Sequence, residues 1–231
     1  MDAAATWIAY ATAYGTLVEK AGMRPGDHVL ITAASSAVGL AAIQVANRVG
    51  AIPVAATRGP GKTETLLKAG ARHVVVTSEQ DTVDTVRGLT GGAGADIILD
   101  SVAGPGLPDL AKAARYSGTV VLTGWLDTRP ALLPMNWPLT VIGYVNFEHT
   151  LDPAAVARIA AFLDSGLRSG PCHRPSARYS PSTRSPTRTA SWSQAASSAR
   201  SSSPSDQPRR QPGPTKERKG RSRAATGRKE P

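Results

Sequence analysis

Cysteine occurs once in the chain, at Cys172, which excludes a disulfide framework and any cysteine-based zinc site. Histidine is also scarce, at His28, His73, His149 and His173. Apart from the adjacent Cys172 and His173, none stands at metal-ligand spacing from another, so no metal is expected. No apolar run reaches the length of a membrane span. The N-terminus lacks the basic stretch of a secretory signal. These absences lead to the expectation of a cytoplasmic protein with no membrane attachment. No Ser-His-Asp set and no pair of carboxylates stands out as a self-contained catalytic group.

Residues 171–231 hold no Val, Ile, Leu, Met or Phe, but 13 Ser and 9 Pro. They also hold 14 Lys+Arg against 3 Asp+Glu. The formal charge of +10 therefore sits in this tail, because residues 1–170 carry 13 basic against 14 acidic side chains. Such a composition cannot offset the entropy of ordering, so the tail is expected to be disordered. Its only aromatic residues are Tyr179 and Trp192, few for stacking on bases. A nucleic-acid partner is not expected, although binding through the tail stays open as a third reading.

The body alternates β-branched runs with helical stretches. His28–Thr32 follows a Pro-Gly turn and reads as a buried strand. Val38–Val49 reads as a helix with Leu40, Ile43 and Ala46–Asn47 near one face, stopped by Gly50. Ile52–Ala56 and His73–Val76 read as strands, separated by a helix over Lys62–Ala69 that Gly70 closes. A helix over Thr82–Leu89 and a strand over Asp96–Leu99 come next. A helix over Leu107–Tyr116, capped by Gly118, leads to strands at Thr119–Thr123 and Leu139–Tyr144. Asp152 caps a last helix that starts at Pro153 and runs to about Ser165. Helical crossovers force parallel pairing, which predicts an α/β fold with a doubly wound parallel sheet of the Rossmann type. The expected organisation is a linking helix within residues 1–22, a dinucleotide-binding domain over 23–170, and the tail.

The first strand runs through Ala33-Ala34-Ser35-Ser36-Ala37-Val38-Gly39 into a helix, where a dinucleotide fingerprint belongs. Its three glycine positions fall on Ala34, Ser36 and Gly39, and only the last is glycine. A generic strand-to-helix turn reads equally well from this pattern. The second strand ends in Thr57-Arg58-Gly59-Pro60-Gly61-Lys62, with no acid before Glu64. An NAD site places Asp or Glu there for the ribose hydroxyls. Arg58 and Lys62 instead offer positive charge to a 2′-phosphate, which favours NADP(H) over NAD(H). A solvated surface pair is the plainer alternative.

Four words carry a resemblance: T-A-Y-G-T-L-V-E-K-A-G-M-R-P-G-D (Thr12–Asp27), I-T-A-A-S-S-A-V-G-L-A-A-I-Q-V-A (Ile31–Ala46), L-L-K-A-G-A (Leu66–Ala71) and D-S-V-A-G (Asp100–Gly104). Over about residues 3–170 the chain resembles the nucleotide-binding half of medium-chain dehydrogenases/reductases. It is nearest the zinc-free quinone oxidoreductase-like branch, beside the zinc-type alcohol dehydrogenase-like members. The resemblance implies hydride transfer between NADPH and a quinone, enone or carbonyl/alcohol substrate. It implies a pyrophosphate site at Ser35, Ser36, Ala37 and Val38, with Gly39 packing the helix, and the adenosine end at Thr57, Arg58 and Lys62. It places Ser101, Val102, Gly124 and Trp125 near the ribose and nicotinamide, with Thr12 and Phe147 flanking the ring. Thr12 as a cap or solvent-facing residue, and Phe147 as core, stay open. The substrate-binding groups, and any zinc ligands, are expected in a substrate domain ahead of Met1, so independent turnover is not expected, and a non-catalytic nucleotide-binding remnant is the alternative. A homodimer through Leu139–Tyr144 is expected on the same ground.

The resemblance also bears on the tail. Read in the neighbouring codon frame, Ser180–Thr189 permits F-P-L-D-E-I-A-D-A-H and Ser197–Pro204 permits Q-L-G-K-I-V-V-T. Both are closing words of that family, in order and at sensible spacing. The expectation is a frameshifted translation from about Pro171, with a genuine basic tail as the alternative.

Overall fold

A computed structural model of the chain describes residues 2–133 and 138–170. The readings of Cys172, His173 and the whole 171–231 tail, its frame included, fall outside the described residues. Six parallel strands form one sheet: β1 (His28–Ile31), β2 (Ile52–Thr57), β3 (His73–Val76), β4 (Ala95–Asp100), β5 (Ala114–Leu122) and β6 (Thr140–Gly143). Their order is β3-β2-β1-β4-β5-β6, so the winding reverses between β1 and β4. That doubly wound arrangement is the one expected from the alternation of strands and helices. Among the described residues no helix is long and apolar enough to cross a membrane.

Strand alternation divides the core between the two faces of the sheet. Val29, Ile31, Ala55, Leu99 and Val121 point to one face and are buried there. That face is covered by helices α1 (Asp2–Tyr14) and α2 (Ala37–Val49), with Ile159 and Leu163 of the last helix. Leu30, Val54, Ile98 and Val120 point to the other face, with Val86 and Leu107 from α4 (Thr82–Leu89) and α5 (Leu107–Ala111). Each Val, Leu or Ile among them contributes roughly 1.5–3 kcal/mol on burial, so the strands are fixed from both sides. α1 packs on α2 through a buried hydrogen bond from the Tyr10 hydroxyl to Gln44 Oε1 at 2.6 Å. The chain continues past Tyr14 as a wider helical turn, Gly15–Lys20.

Several expected bounds change. The helix read over Leu107–Tyr116 stops at Ala111, and the chain is already extended at Ala114. Gly118 is therefore inside β5 and caps nothing. The cause lies in β4: Ala95 donates to Ala113 O at 2.8 Å and pairs with Ala114. Gly94, at φ 94°, lets the backbones meet there; a Cβ on it would lie 2.7 Å from the Ala114 carbonyl carbon. The expected Lys62–Ala69 helix divides into a tight turn at Pro60–Lys62 and α3 (Thr63–Lys68). The edge strand is shorter than Leu139–Tyr144 by one residue at each end. A short helix α6 (Phe147–Thr150) precedes α7 (Pro153–Ser169), which Asp152 caps by accepting from Ala154 N–H at 2.9 Å. α7 passes the expected stop at Ser165, because Gly166 is buried within it and the left-handed Gly170 ends it.

α2 and β1 meet so closely at Gly39 that a Cβ there would stand 2.5 Å from Ala34 O and 2.6 Å from its Cα. Both obstacles are backbone, so they cannot rotate away. Gly39→Ala should destabilise the chain by about 3 kcal/mol, the upper end for overpacking. Urea denaturation checks this, and an unchanged midpoint contradicts the packing described.

Candidate functional site

A groove of about 1400 Å³ opens at the carboxyl ends of the strands, across the reversal between β1 and β4. Open α/β sheets bind ligands at this place, because the loops to either side diverge there. Ser35, Ser36, Thr57, Arg58, Lys62 and Val102 of the expected site residues line the groove.

The turn after β1 begins with Ala33 in the left-handed region at φ 45°. Ser36 accepts from Gly39 N–H at 3.0 Å, so its side chain caps α2. A helix leaves its first N–H groups without internal partners. The cap takes one, while Ala37 and Val38 N–H have no partner among the described residues. Those two groups, with the positive end of the helix dipole, have the chemistry that suits an anion. Ser36 thus does by its side chain what the glycine of the usual fingerprint leaves undone. Its hydroxyl accepts one hydrogen bond and keeps its own proton to donate.

Lys62 Nζ donates to Ser35 Oγ at 3.0 Å. This bond joins the end of β2 to the turn after β1, across 27 residues of sequence. Arg58, at the end of β2, is exposed beside them. The cations read from the sequence therefore line one groove with Ser35 and Ser36, the residues just ahead of α2.

The opposite wall depends on residues the sequence did not single out as site residues. Asp100, fully buried, accepts from Thr32 Oγ1 at 2.6 Å and Val102 N–H at 3.0 Å on one oxygen, and from Ala103 N–H at 2.8 Å on the other. Thr32 Oγ1 in turn accepts from Ser101 N–H at 3.0 Å. Ser101 Oγ lies 3.0 Å from Thr123 Oγ1. The network ties the ends of β1, β4 and β5 together and holds Ala103 at φ 55°. Beyond it, Leu126 and Asp127 donate backbone N–H groups to Ser101 O and Val102 O at 3.2 and 2.9 Å. Arg129 grips the Asp127 carboxylate with Nε at 2.9 Å and a terminal nitrogen at 2.6 Å, and this holds the carboxyl down at about 2.

The other expected residues stand outside the groove lining. Ala37, Val38 and Gly39 are in the first turn of α2, behind Ser36. Ser101 and Gly124 face each other across the β4 and β5 ends, where a Cβ on Gly124 would lie 3.2 Å from Ser101 O. Trp125 is exposed. Thr12 neither caps a helix nor faces solvent: it is buried within α1, and its hydroxyl donates to Ile8 O at 2.8 Å. Phe147 is 71% exposed at the start of α6, so it is not core. Between these two elements the Tyr144 hydroxyl lies close to Gly15, and burial pushes that phenol up to about 12. Among the described residues no cluster of His, Cys, Asp and Glu could hold a metal ion.

Replacing Asp100 with asparagine puts an amide NH₂ where one of these N–H or O–H donors now finds an oxygen. Leaving a buried donor unsatisfied costs about 1–3 kcal/mol. Asp100→Asn should lower stability by that amount in urea denaturation, and a wild-type midpoint contradicts the network.

A family model described as zinc-binding dehydrogenase matches residues 37–158. The erythronolide synthase EryA2 of Saccharopolyspora erythraea is 42% identical over 132 residues, which is 56% of this chain and 4% of that one. Quinone oxidoreductase-like protein 2 of Rattus norvegicus is 33% identical over 136 residues, 58% of this chain and 39% of that one. The chain thus spans well under half the length of these relatives. Among solved structures, CurK enoyl reductase superposes with a TM-score of 0.66 at 25% identity, over 75% of this chain and 53% of that one. Escherichia coli quinone oxidoreductase complexed with NADPH superposes with a TM-score of 0.68 at 24% identity, over 74% and 54%. The chain belongs to the zinc-binding dehydrogenase family of medium-chain dehydrogenases/reductases, in the quinone oxidoreductase-like branch.

Proposed function

We propose that the groove binds NADP(H) and that residues 23–170 are the cofactor-binding unit of an oxidoreductase. The observation that carries this is the bond from Lys62 Nζ to Ser35 Oγ. It brings a cation from the end of β2 to the helix end that suits a phosphate. The site fits the cofactor in its donor set: the free N–H groups of Ala37 and Val38, the Ser36 hydroxyl and two cations, with no carboxylate at the end of β2 before Glu64. Ser36, Ala37 and Val38 hold the diphosphate, and Arg58 with Lys62 holds the 2′-phosphate. The resemblance adds Ser101, Val102, Gly124 and Trp125 on the ribose and nicotinamide side, and Thr12 and Phe147 beside the ring. A bound nicotinamide supplies hydride, and the chain's residues bind and orient it. The acceptor is a quinone, enone or carbonyl compound, supported by the quinone oxidoreductase and enoyl reductase to which the fold is similar. Groups that bind it lie outside the described residues in this reading, so binding without turnover is the expected behaviour of the chain alone.

Fluorescence titration separates the cofactors. NADPH should bind more tightly than NADH, and Arg58→Ala should weaken NADPH about tenfold or more while NADH changes little. Equal losses contradict the 2′-phosphate role, and no NADPH binding overturns the site. A quinone-reduction assay beside it should show no turnover; turnover would place the substrate groups within this chain.

Among the described residues β6 pairs only with β5, so its outer edge presents backbone groups that no other described strand takes up. We propose that two copies pair along this edge. Light scattering should give a mass of two chains that falls on dilution; one chain's mass at high concentration contradicts it.

A further inference from the structure

The reading of the groove as a dinucleotide site leaves one of its cations without a role. Arg129 lines the same groove as Ser35 and Lys62 but comes from the loop after β5, on the other side of β1 from the end of β2. Its partner Asp127 is held in place. The Asp127 backbone is tied to Val102, and its carboxylate packs on Gly104, where a Cβ would lie 2.6 Å from Asp127 Cγ. Arg129 is not held in the same way: its side chain is 72% exposed against 24% for Asp127. Among the described residues it bonds to the Asp127 carboxylate, from its backbone N–H at 3.1 Å and its guanidinium at 2.6–3.2 Å.

We propose that Arg129 is a phosphate-binding residue held in reserve by Asp127, and that it transfers to the diphosphate of the bound dinucleotide. The proposal rests on the dinucleotide reading of the groove. An exposed ion pair contributes little net stability, so exchanging one oxygen partner for another is inexpensive. The planar fork that grips a carboxylate with two N–H groups grips a phosphate equally well. Strand order selects which phosphate. The 2′-phosphate belongs with Arg58 at the end of β2, whereas the diphosphate lies at the N-terminus of α2, after β1, between the two walls. Arg129, on the β5 side of the groove that Ser35 and Ser36 also line, is assigned to the latter. Asp127 then acts as a brake, because binding must take Arg129 from it and leaves its charge beside the ligand.

The test is NADPH and NADH titration of the whole chain and of Arg129→Met, Asp127→Asn and the double variant. Arg129→Met should weaken both cofactors by the same factor, about tenfold. Asp127→Asn should tighten both severalfold by releasing Arg129, and the double variant should stay as weak as Arg129→Met. Arg129→Lys, which keeps the charge without the fork, should fall between wild type and Arg129→Met and carries the test if the latter does not fold. Wild-type affinity in Arg129→Met or, where that does not fold, in Arg129→Lys overturns the proposal. So does a loss confined to NADPH, which would move Arg129 to the 2′-phosphate. Recovery of wild-type affinity in the double variant also overturns it, because Arg129 then only neutralises Asp127. If the wild-type chain binds neither cofactor, the dinucleotide reading fails and the proposal with it; every other outcome leaves that reading standing.

Discussion

One wall of the groove depends on a single buried carboxylate. Asp100 sits at the reversal of the sheet, where the loops after β1 and β4 part. A charge buried there is costly unless it is hydrogen-bonded, and three donors from two segments bond to its two oxygens. The same bonds keep Ala103 in a backbone conformation that L residues seldom adopt, and Gly104 follows at φ 70°. That turn carries Asp127, and Asp127 holds Arg129. A single desolvated group therefore sets the position of a loop that starts more than twenty residues later.

The opposite wall is built by exclusion rather than attraction. Gly39 has no side chain because Ala34 occupies the space, and this contact brings the start of α2 up to the end of β1. Ser36 then caps the helix. In place of a fingerprint glycine, the Ser36 side chain satisfies the Gly39 N–H, and the N–H groups of Ala37 and Val38 have no partner among the described residues. Close packing, capping and the anion site are one arrangement seen at three scales.

Much of this was legible in the sequence because it is local. Strand, turn and helix follow one another from His28 to Val49, so the turn after β1 and the place of Gly39 could be read from spacing, whereas a phosphate role for that turn rested on the resemblance. The lack of an acid after β2 was equally visible. The Lys62–Ser35 bond was not, since it joins two segments that only the pairing of β1 with β2 brings together. Asp100 was visible as part of a turn word but not as its support, because its partner Thr32 is 68 residues away. The α5 to β5 boundary failed for the same reason. Leu107–Tyr116 has a helical pattern, but pairing of Ala114 with Ala95 draws the chain into the sheet.

Arg129 marks the limit of local reading, and it shows how the two walls differ. Arg58 and Lys62 follow a strand at a fixed distance, so their place in the groove is set by the strand's own length. Arg129 follows no such rule: its place is set by Asp127, whose place is set by the Val102–Gly104 turn, whose shape is set by Asp100. The Arg129–Asp127 link is local, but the links beneath it join residues far apart in sequence or depend on a strained backbone. A cation held through such a chain moves when any link is altered, whereas one at a strand end does not. The β2 side is therefore suited to fixed recognition of a phosphate, and the β5 side to an exchange that accompanies binding.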